Sequence, residues 1–597
     1  MIMEPELQLP LNSIKVLERR YLERDDTRKI IESPSQLFRR VAKAVARAED
    51  NFPDKRDKRE IEEKFFGMMA GLEFMPNSPT LMNAGTGIGQ LSACFVIPVE
   101  DSIPQIFEAL KNMAAIHQTG GGTGFDFSRL RPKGDLVYST KGEASGPVSF
   151  MSVFDSATGV IVQGGRRRGA NMGILRVDHP DIEEFIDAKL KEGLFSNFNL
   201  SVAVTDKFMA DFYKDREYAL VNPRTKRQVK KAKARRIFLK ISESAWKSGD
   251  PGLVFIDEVN RRNPTPEAGR IEATNPCGEL PLLPYESCNL ASINLAKFIT
   301  EQRTIDWDKL ADRIKRGVRF LDDVIEVNKF ALPQIRKMTF ANRKIGLGIM
   351  GFADLLLALG IPYNSESAVK LAKALMRFMR GESVKASIAL AEKRGVFPNH
   401  KRSVYVKKGL SMRNATVNTI APTGTISIIA GCSSGIEPLF ALSFTRNVLS
   451  GTKLFEVNPL FERTARQRGF YSDELMLEIA KRGSLQRIGG IPRDVKRLFI
   501  TAFDVTALDH LRIQAAFQEY CDNSVSKTVN LPEESRPQDV KSVYLAAHKL
   551  KCKGITVYRY GTKKEQVLSF SGRAETGPRM VTAASEYSGG CAKEVCA

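Results

Sequence analysis

Segments with helical period and short β-branched apolar runs alternate along most of this 597-residue chain, and that alternation, more than any other feature, restricts it to α/β architecture. Ser35 to Asp50, Ile103 to His117 and Ser367 to Arg394 space apolar residues three and four apart, as helices with one buried face require. Gly252 to Ile256 and Ile555 to Tyr558 are apolar runs of a length suited to buried strands. At about four times a common domain size of about 150 residues, the chain can hold one large core or several. No stretch approaches the roughly 18 consecutive apolar residues of a membrane helix. The N-terminus has no basic segment leading into an apolar run, so a soluble cytoplasmic protein without a membrane partner is expected.

A reducing compartment makes the eight cysteines thiols, ligands or redox groups rather than structural cross-links. None forms a Cys-x-x-Cys pair, and His117, His179, His400, His510 and His548 are scattered, so no protein-ligated metal is expected. The net charge of +21 favours polyanionic partners, nucleotides among them. Its densest run, Arg224 to Arg236, has no interleaved aromatics. It is expected to be a solvated hairpin or helix start, and nucleic acid is not an expected partner.

Irregular stretches carry the chemistry. Asn275-Pro276-Cys277-Gly278-Glu279 is a loop or strand end, because Pro276 cannot donate to a ladder and Gly278 is unrestrained. If extended, it turns an amide, a thiol and a carboxylate to one side. Gly120 to Gly124, Gly164 to Gly169 and Pro422-Thr423-Gly424-Thr425 are expected to be loops where the backbone approaches a ligand closely. The last supplies hydroxyls and N–H groups for an anion if a helix starts there, but it lacks the lysine of an ATPase phosphate loop. After Gln566 the chain becomes rich in Ser, Gly, Ala and Thr and ends in Cys591-x4-Cys596, which reads as a flexible tether bearing a dithiol. About 25 residues of such chain have a root-mean-square reach of roughly 27 Å.

Cys277 in its Asn-x-Cys-x-Glu setting, Cys288 within SCNLASINL and Cys94 within QLSACF together resemble the ribonucleotide reductase large chain. The resemblance spans Pro10 to Gln566. It implies a ten-stranded α/β barrel of two five-stranded parallel halves related antiparallel, with a helical N-terminal region. It divides the chain into helical residues 1–75 without an ATP cone, the barrel over 76–566 and a redox tail over 567–597. Cys277 then matches the radical-bearing cysteine, with Asn275 and Glu279 as its hydrogen-bonding and acid/base partners. Cys94 and Cys288 match the reducing pair, and Cys591 and Cys596 the tail shuttle.

Ser78, Ala93, Gly122, Pro422, Thr423, Gly424 and Thr425 match the family's substrate contacts. Asp101, Ser102, Arg131, Arg166, Arg167 and Arg168 match the elements that bind dNTP or ATP effectors and relay specificity. The further motifs NSPTLMNAG (77–85), GCSSGIEP (431–438) and GITVYR (554–559) look most like the adenosylcobalamin-dependent class II enzymes. Class I chains use an adjacent tyrosine pair near the C-terminus for radical relay. Tyr558 and Tyr560 are separated by Arg559 and are expected to share one strand face, so class I, with its separate metal-containing subunit, is the alternative. The resemblance also implies ribonucleotide substrates, expected as diphosphates, a thioredoxin- or glutaredoxin-like reductant and a homodimer, with nucleic acid not an expected partner.

Overall fold

The computed structural model describes residues 7–52, 57–138, 141–163, 167–191, 193–447, 453–562, 568–571 and 580–583. Ten strands join one mixed sheet. They are β1 (Phe74–Pro76), β2 (Cys94–Val96), β3 (Gly122–Asp126), β4 (Asn171–Arg176), β5 (Phe198–Val204), β6 (Gly252–Phe255), β7 (Ser287–Asn294), β8 (Ile345–Met350), β9 (Thr528–Leu531) and β10 (Gly554–Arg559). β2 to β6 run parallel in chain order, the arrangement that helical crossovers produce. β7 pairs parallel with β8, and β9 with β10. The two sets meet antiparallel at both ends, β2 against β7 and β6 against β10.

Residues 416–420 close the ring between β8 and β9. Leu347 N donates to Val417 O at 2.9 Å, and Ser526 N to Ile420 O at 2.8 Å. The expected barrel of two five-stranded parallel halves is therefore present, with this short extended segment as a barrel strand and β1 sharing the far part of β7's edge. Side chains alternate across the wall. Phe95, Phe125, Leu200 and Leu253 face the surrounding helices, while Cys94, Val96, Ile174, Val254 and Cys288 face inward.

The helical N-terminal region also matches expectation. Helices α1 (Leu11–Arg20), α2 (Pro34–Ala46) and α3 (Lys58–Ala70) share one core with α5 (Trp307–Val327) and α6 (Glu366–Arg394) against the outer face of β7 and β8. Ser33 and Gln36 fix the start of α2 with a reciprocal capping box. Between these groups, α4 (Ile103–Gln118) covers the predicted periodic segment. The basic run forms the second strand of a hairpin, Gln228–Lys233, and the start of a helix at Ala234.

One expectation changes. The Ser- and Gly-rich stretch after Gln566 is not tether throughout. Leu568–Ser571 and Met580–Ala583 pair with each other, and the second also pairs with Ser443–Asn447. LSFS and MVTA combine β-formers with small polar residues, enough to add strands to an available edge. Cys591 and Cys596 lie outside the described residues.

Candidate active site

A small hairpin fills the barrel. Ala273–Thr274 pairs with Pro281–Leu282, and Ala273, Leu280 and Leu282 pack among the inward side chains of the strands. The glycines of β3 make this possible. A Cβ at Gly124 would lie 1.8 Å from the Thr274 carbonyl oxygen, and one at Gly122 would lie 2.9 Å from Pro276 Cγ. Gly122 and Gly124, expected in a loop, are thus strand residues. Neighbouring strands hold their backbone on both sides, and the missing side chains admit the hairpin.

The tip is a turn rather than an extended strand. Gly278 has φ +81°, where glycine carries no Cβ penalty. Its N–H donates to Asn275 O at 3.1 Å, and Asn275 Oδ1 accepts from Leu280 N at 3.0 Å. Asn275 and Glu279 still converge, because both reach the same thiol. Asn275 Nδ2 donates to Cys94 Sγ at 3.1 Å, and Cys94 Sγ lies 3.9 Å from Glu279 Oε1. Cys277, between them in sequence, is half-buried.

Cys94 and Cys288 are direct partners across the antiparallel junction of β2 and β7. Residues so paired stand about 4.5–5.5 Å apart at Cα with both side chains on one face, within the range a disulfide spans. Both are free thiols here. Burial pushes the Cys94 thiol well up, and the nearby Glu279 adds to this, while the Asn275 hydrogen bond opposes it. Burial likewise raises Cys288, against the pull of the Lys344 ammonium.

Two cavities meet at Cys277. The first, about 690 Å³, is lined by Ser78, Ala93, Cys94, Gly122, Asn275, Cys277, Glu279 and Pro422. The second, about 1070 Å³, is lined by Cys277, Asn199, Gln514, Lys527, Lys553 and Tyr558, among others. Its wall holds a buried ion pair, Lys527 with Glu437, in which burial pushes the ammonium down and the carboxyl up. Burial also lowers Lys553 to about 8, while its Nζ donates to Asp522 O at 2.6 Å.

The predicted phosphate loop does open a short helix, α7 (Gly424–Ala430). Thr423 is committed internally, accepting from Gly435 N at 2.8 Å, and Thr425 Oγ1 accepts from Arg20 Nη1 at 3.2 Å. Asp101 and Arg131 pair at 2.9 Å, away from both cavities. The cap of α4 is Ser102, whose hydroxyl accepts from Gln105 N. Arg167 and Arg168 form a two-residue strand with Val162–Gln163, whereas Arg166 lies outside the described residues. Tyr558 and Tyr560 do share a side, their rings edge-on at 6.0 Å, with Arg559 turned onto Trp246.

Two contacts had no signal in the sequence. Asn199 Nδ2 on β5 donates to Pro276 O at 2.8 Å, clamping the peptide before Cys277, and Tyr21 Oη on the loop after α1 bonds Ser78 Oγ at 2.7 Å. Among the described residues, no group of three or more His, Cys, Asp or Glu could hold a metal ion, and no helix is long and apolar enough to cross a membrane.

Comparison with known proteins identifies the family. Residues 7–89 match the model of the ribonucleotide reductase all-alpha domain, and 92–412 with 406–558 that of the barrel domain. The chain is similar to a vitamin B12-dependent ribonucleoside-diphosphate reductase of Thermoplasma acidophilum, at 52% identity over 96% of this chain and 81% of the relative. A Mycobacterium tuberculosis protein of the same description is 51% identical over 99% and 83%. In fold, the chain is similar to an Actinobacillus ureae class Id ribonucleotide reductase alpha subunit, with a TM-score of 0.77 at 24% identity, covering 94% of this chain and 99% of that one.

Proposed function

The chain belongs to the ribonucleotide reductase large-chain family, and from that premise we propose that it reduces ribonucleoside diphosphates to 2'-deoxyribonucleotides with Cys277 as the radical-bearing residue. The observation that carries the reading is one cavity in which a hairpin-tip thiol and a buried carboxylate meet Cys94, the register partner of Cys288.

As a thiyl radical, Cys277 takes the hydrogen atom from ribose C3', since S–H and that C–H bond are of comparable strength. Glu279 accepts the 3'-hydroxyl proton as radical character develops and so helps the 2'-hydroxyl to leave. Cys94 and Cys288 give up two protons and two electrons and end as a disulfide: one proton departs in the water, and the other, with the electrons, ends as the new hydrogen on C2'. Cys277 then returns its hydrogen to C3', and Glu279 its proton to the 3'-oxygen. Asn275 holds Cys94 in line through its amide, and Asn199 fixes the peptide that carries Cys277.

Adenosylcobalamin, when bound, supplies the radical equivalent that Cys277 carries. The second cavity fits such a group, because its polar side chains suit an amide-rich ligand: Gln514 Oε1 is a buried acceptor without a hydrogen-bond partner among the described residues, and Asn199, Ser201, Lys553 and Thr556 also line it. These residues would hold the cofactor.

Asp101, Ser102 and Arg131, with the sequence matches Arg166, Arg167 and Arg168, would bind a dNTP or ATP effector at the start of α4. Ile103 and Phe107 stand exposed along α4 beside it, a face for a second copy of the chain. Cys591 and Cys596 pass electrons from a thioredoxin-like protein to the Cys94–Cys288 disulfide by thiol exchange.

The test is an assay of the purified chain with adenosylcobalamin, dithiothreitol and a ribonucleoside diphosphate, with no second subunit. Deoxynucleotide is expected, and Cys277→Ser should abolish it while substrate binding persists. Product that appears only on adding a metal-containing subunit would overturn the cofactor reading, and full activity of Cys277→Ser would overturn the role of that cysteine.

A further inference from the structure

One row of residues crosses the junction between the two halves of the barrel. Gly122 pairs with Cys94, and Cys94 with Cys288. On the next strand Asn289 pairs with Ile345, so Lys344, one residue earlier, flanks Cys288 on the same inward face. Glu286, two residues before Cys288, also faces inward. Lys344 Nζ and Glu286 Oε2 are 2.6 Å apart, and both side chains are 1% exposed. Asn342 Nδ2 and Leu283 N donate to the same carboxylate, which fixes the ion pair in place.

The two thiols therefore differ in their surroundings. Cys94 lines the substrate cavity and meets Glu279, Cys277 and the Asn275 amide, and the Glu279 carboxylate is the largest charge that bears on it. Cys288 is fully buried behind it. Of the charges around it, Lys344 favours the thiolate, while Glu286 and Glu279 oppose it.

Resting on the reading of Cys94 and Cys288 as the reducing pair, we propose that the Lys344–Glu286 pair sets the direction in which their disulfide reopens, with Cys94 the sulfur attacked and Cys288 the sulfur that leaves. A donor thiolate bonds to Cys94 Sγ as the Cys94–Cys288 bond breaks, and the electron pair departs with Cys288 Sγ beside the Lys344 ammonium. The donor's second thiolate then displaces Cys94. The donor dithiol is oxidised to its disulfide, and both protein thiols take up protons. A lower-energy leaving thiolate speeds such exchange. Lys344 and Glu286 are positioning residues, since they touch neither the substrate nor the incoming sulfur.

The experiment follows reduction of the Cys94–Cys288 disulfide by dithiothreitol in the full chain oxidised by one turnover, using differential alkylation and mass spectrometry from pH 6 to 9. Lys344→Met should slow reduction about tenfold and displace its pH profile upward, whereas Glu286→Gln, which leaves the ammonium unopposed, should speed it. Lys344→Arg should keep the wild-type rate. The charge-neutral pair Lys344→Met with Glu286→Gln avoids a stranded charge and should also be slow. Single substitutions that shift the rate in the same direction, or a folded double variant with the wild-type rate and profile, would refute the proposal. Absence of a Cys94–Cys288 disulfide after turnover would instead refute the functional reading on which it rests.

Discussion

At the scale of single residues, the environment of each thiol decides its chemistry. Cys94 and Cys288 are buried and held up towards the protonated form, whereas Cys277 is half-buried at the meeting point of two cavities. The thiolate is the nucleophile, and an ordinary thiol reaches it near pH 8.5. In the folded, reduced chain, Cys94 and Cys288 should therefore resist iodoacetamide through pH 9, and denaturation should expose both to rapid labelling. Residue-resolved mass spectrometry checks this, and fast labelling of either in the native chain at pH 8 would contradict the raised state. The type and spacing of Asn275, Cys277 and Glu279 were legible in the sequence because the chemistry needs them close together. The contacts of Asn199 and Tyr21 were not, because each joins residues far apart in the chain.

At the scale of elements, β3 and the hairpin of residues 273–282 are one device. The glycine pattern of β3 reads locally as a turn. In the barrel it is a strand stripped of side chains where another backbone must pass. Gly124→Ala should force the Thr274 carbonyl away, because the added methyl would lie 1.8 Å from its oxygen. Overpacking of this kind costs about 1–3 kcal/mol. Displacing a reactive group by an ångström can cost about a hundredfold in rate. The variant should retain its fold by circular dichroism and lose at least that factor in kcat. Wild-type turnover would show that the hairpin does not depend on this contact.

At the scale of the whole molecule, a buried charge cluster ties the N-terminal helices to the barrel. Arg394 bridges Glu49, after α2, to Asp322 and Asp323 on α5, at 2.9, 3.1 and 2.5 Å. Arg343 and Arg413 also reach Asp322. Burial pushes Asp322 up, but the three arginines outweigh it and hold its carboxyl well below the ordinary range. A carboxylate depressed in the fold stabilises at pH values above its unfolded pKa, about 3.9, and that contribution is lost as pH falls through the folded value. Asp323, raised by burial, contributes with the opposite sign. Asp322→Asn should strand arginine charge and lower stability by about 3–5 kcal/mol at neutral pH. It should also flatten the loss of stability below about pH 4. Denaturant midpoints from pH 2.5 to 7 test both, and an unchanged acid slope would remove Asp322 from the account.

The sequence by itself determined the α/β class, the buried faces of its long helices and the residue types of the reducing centre, because periodicity and side-chain chemistry are local properties. Only the tertiary structure decided that Cys94 faces Cys288, that residues 416–420 close the barrel and that glycines expected in a loop form a strand. Strand register and the approach of one backbone to another depend on contacts between residues far apart in the chain, and no local pattern encodes them.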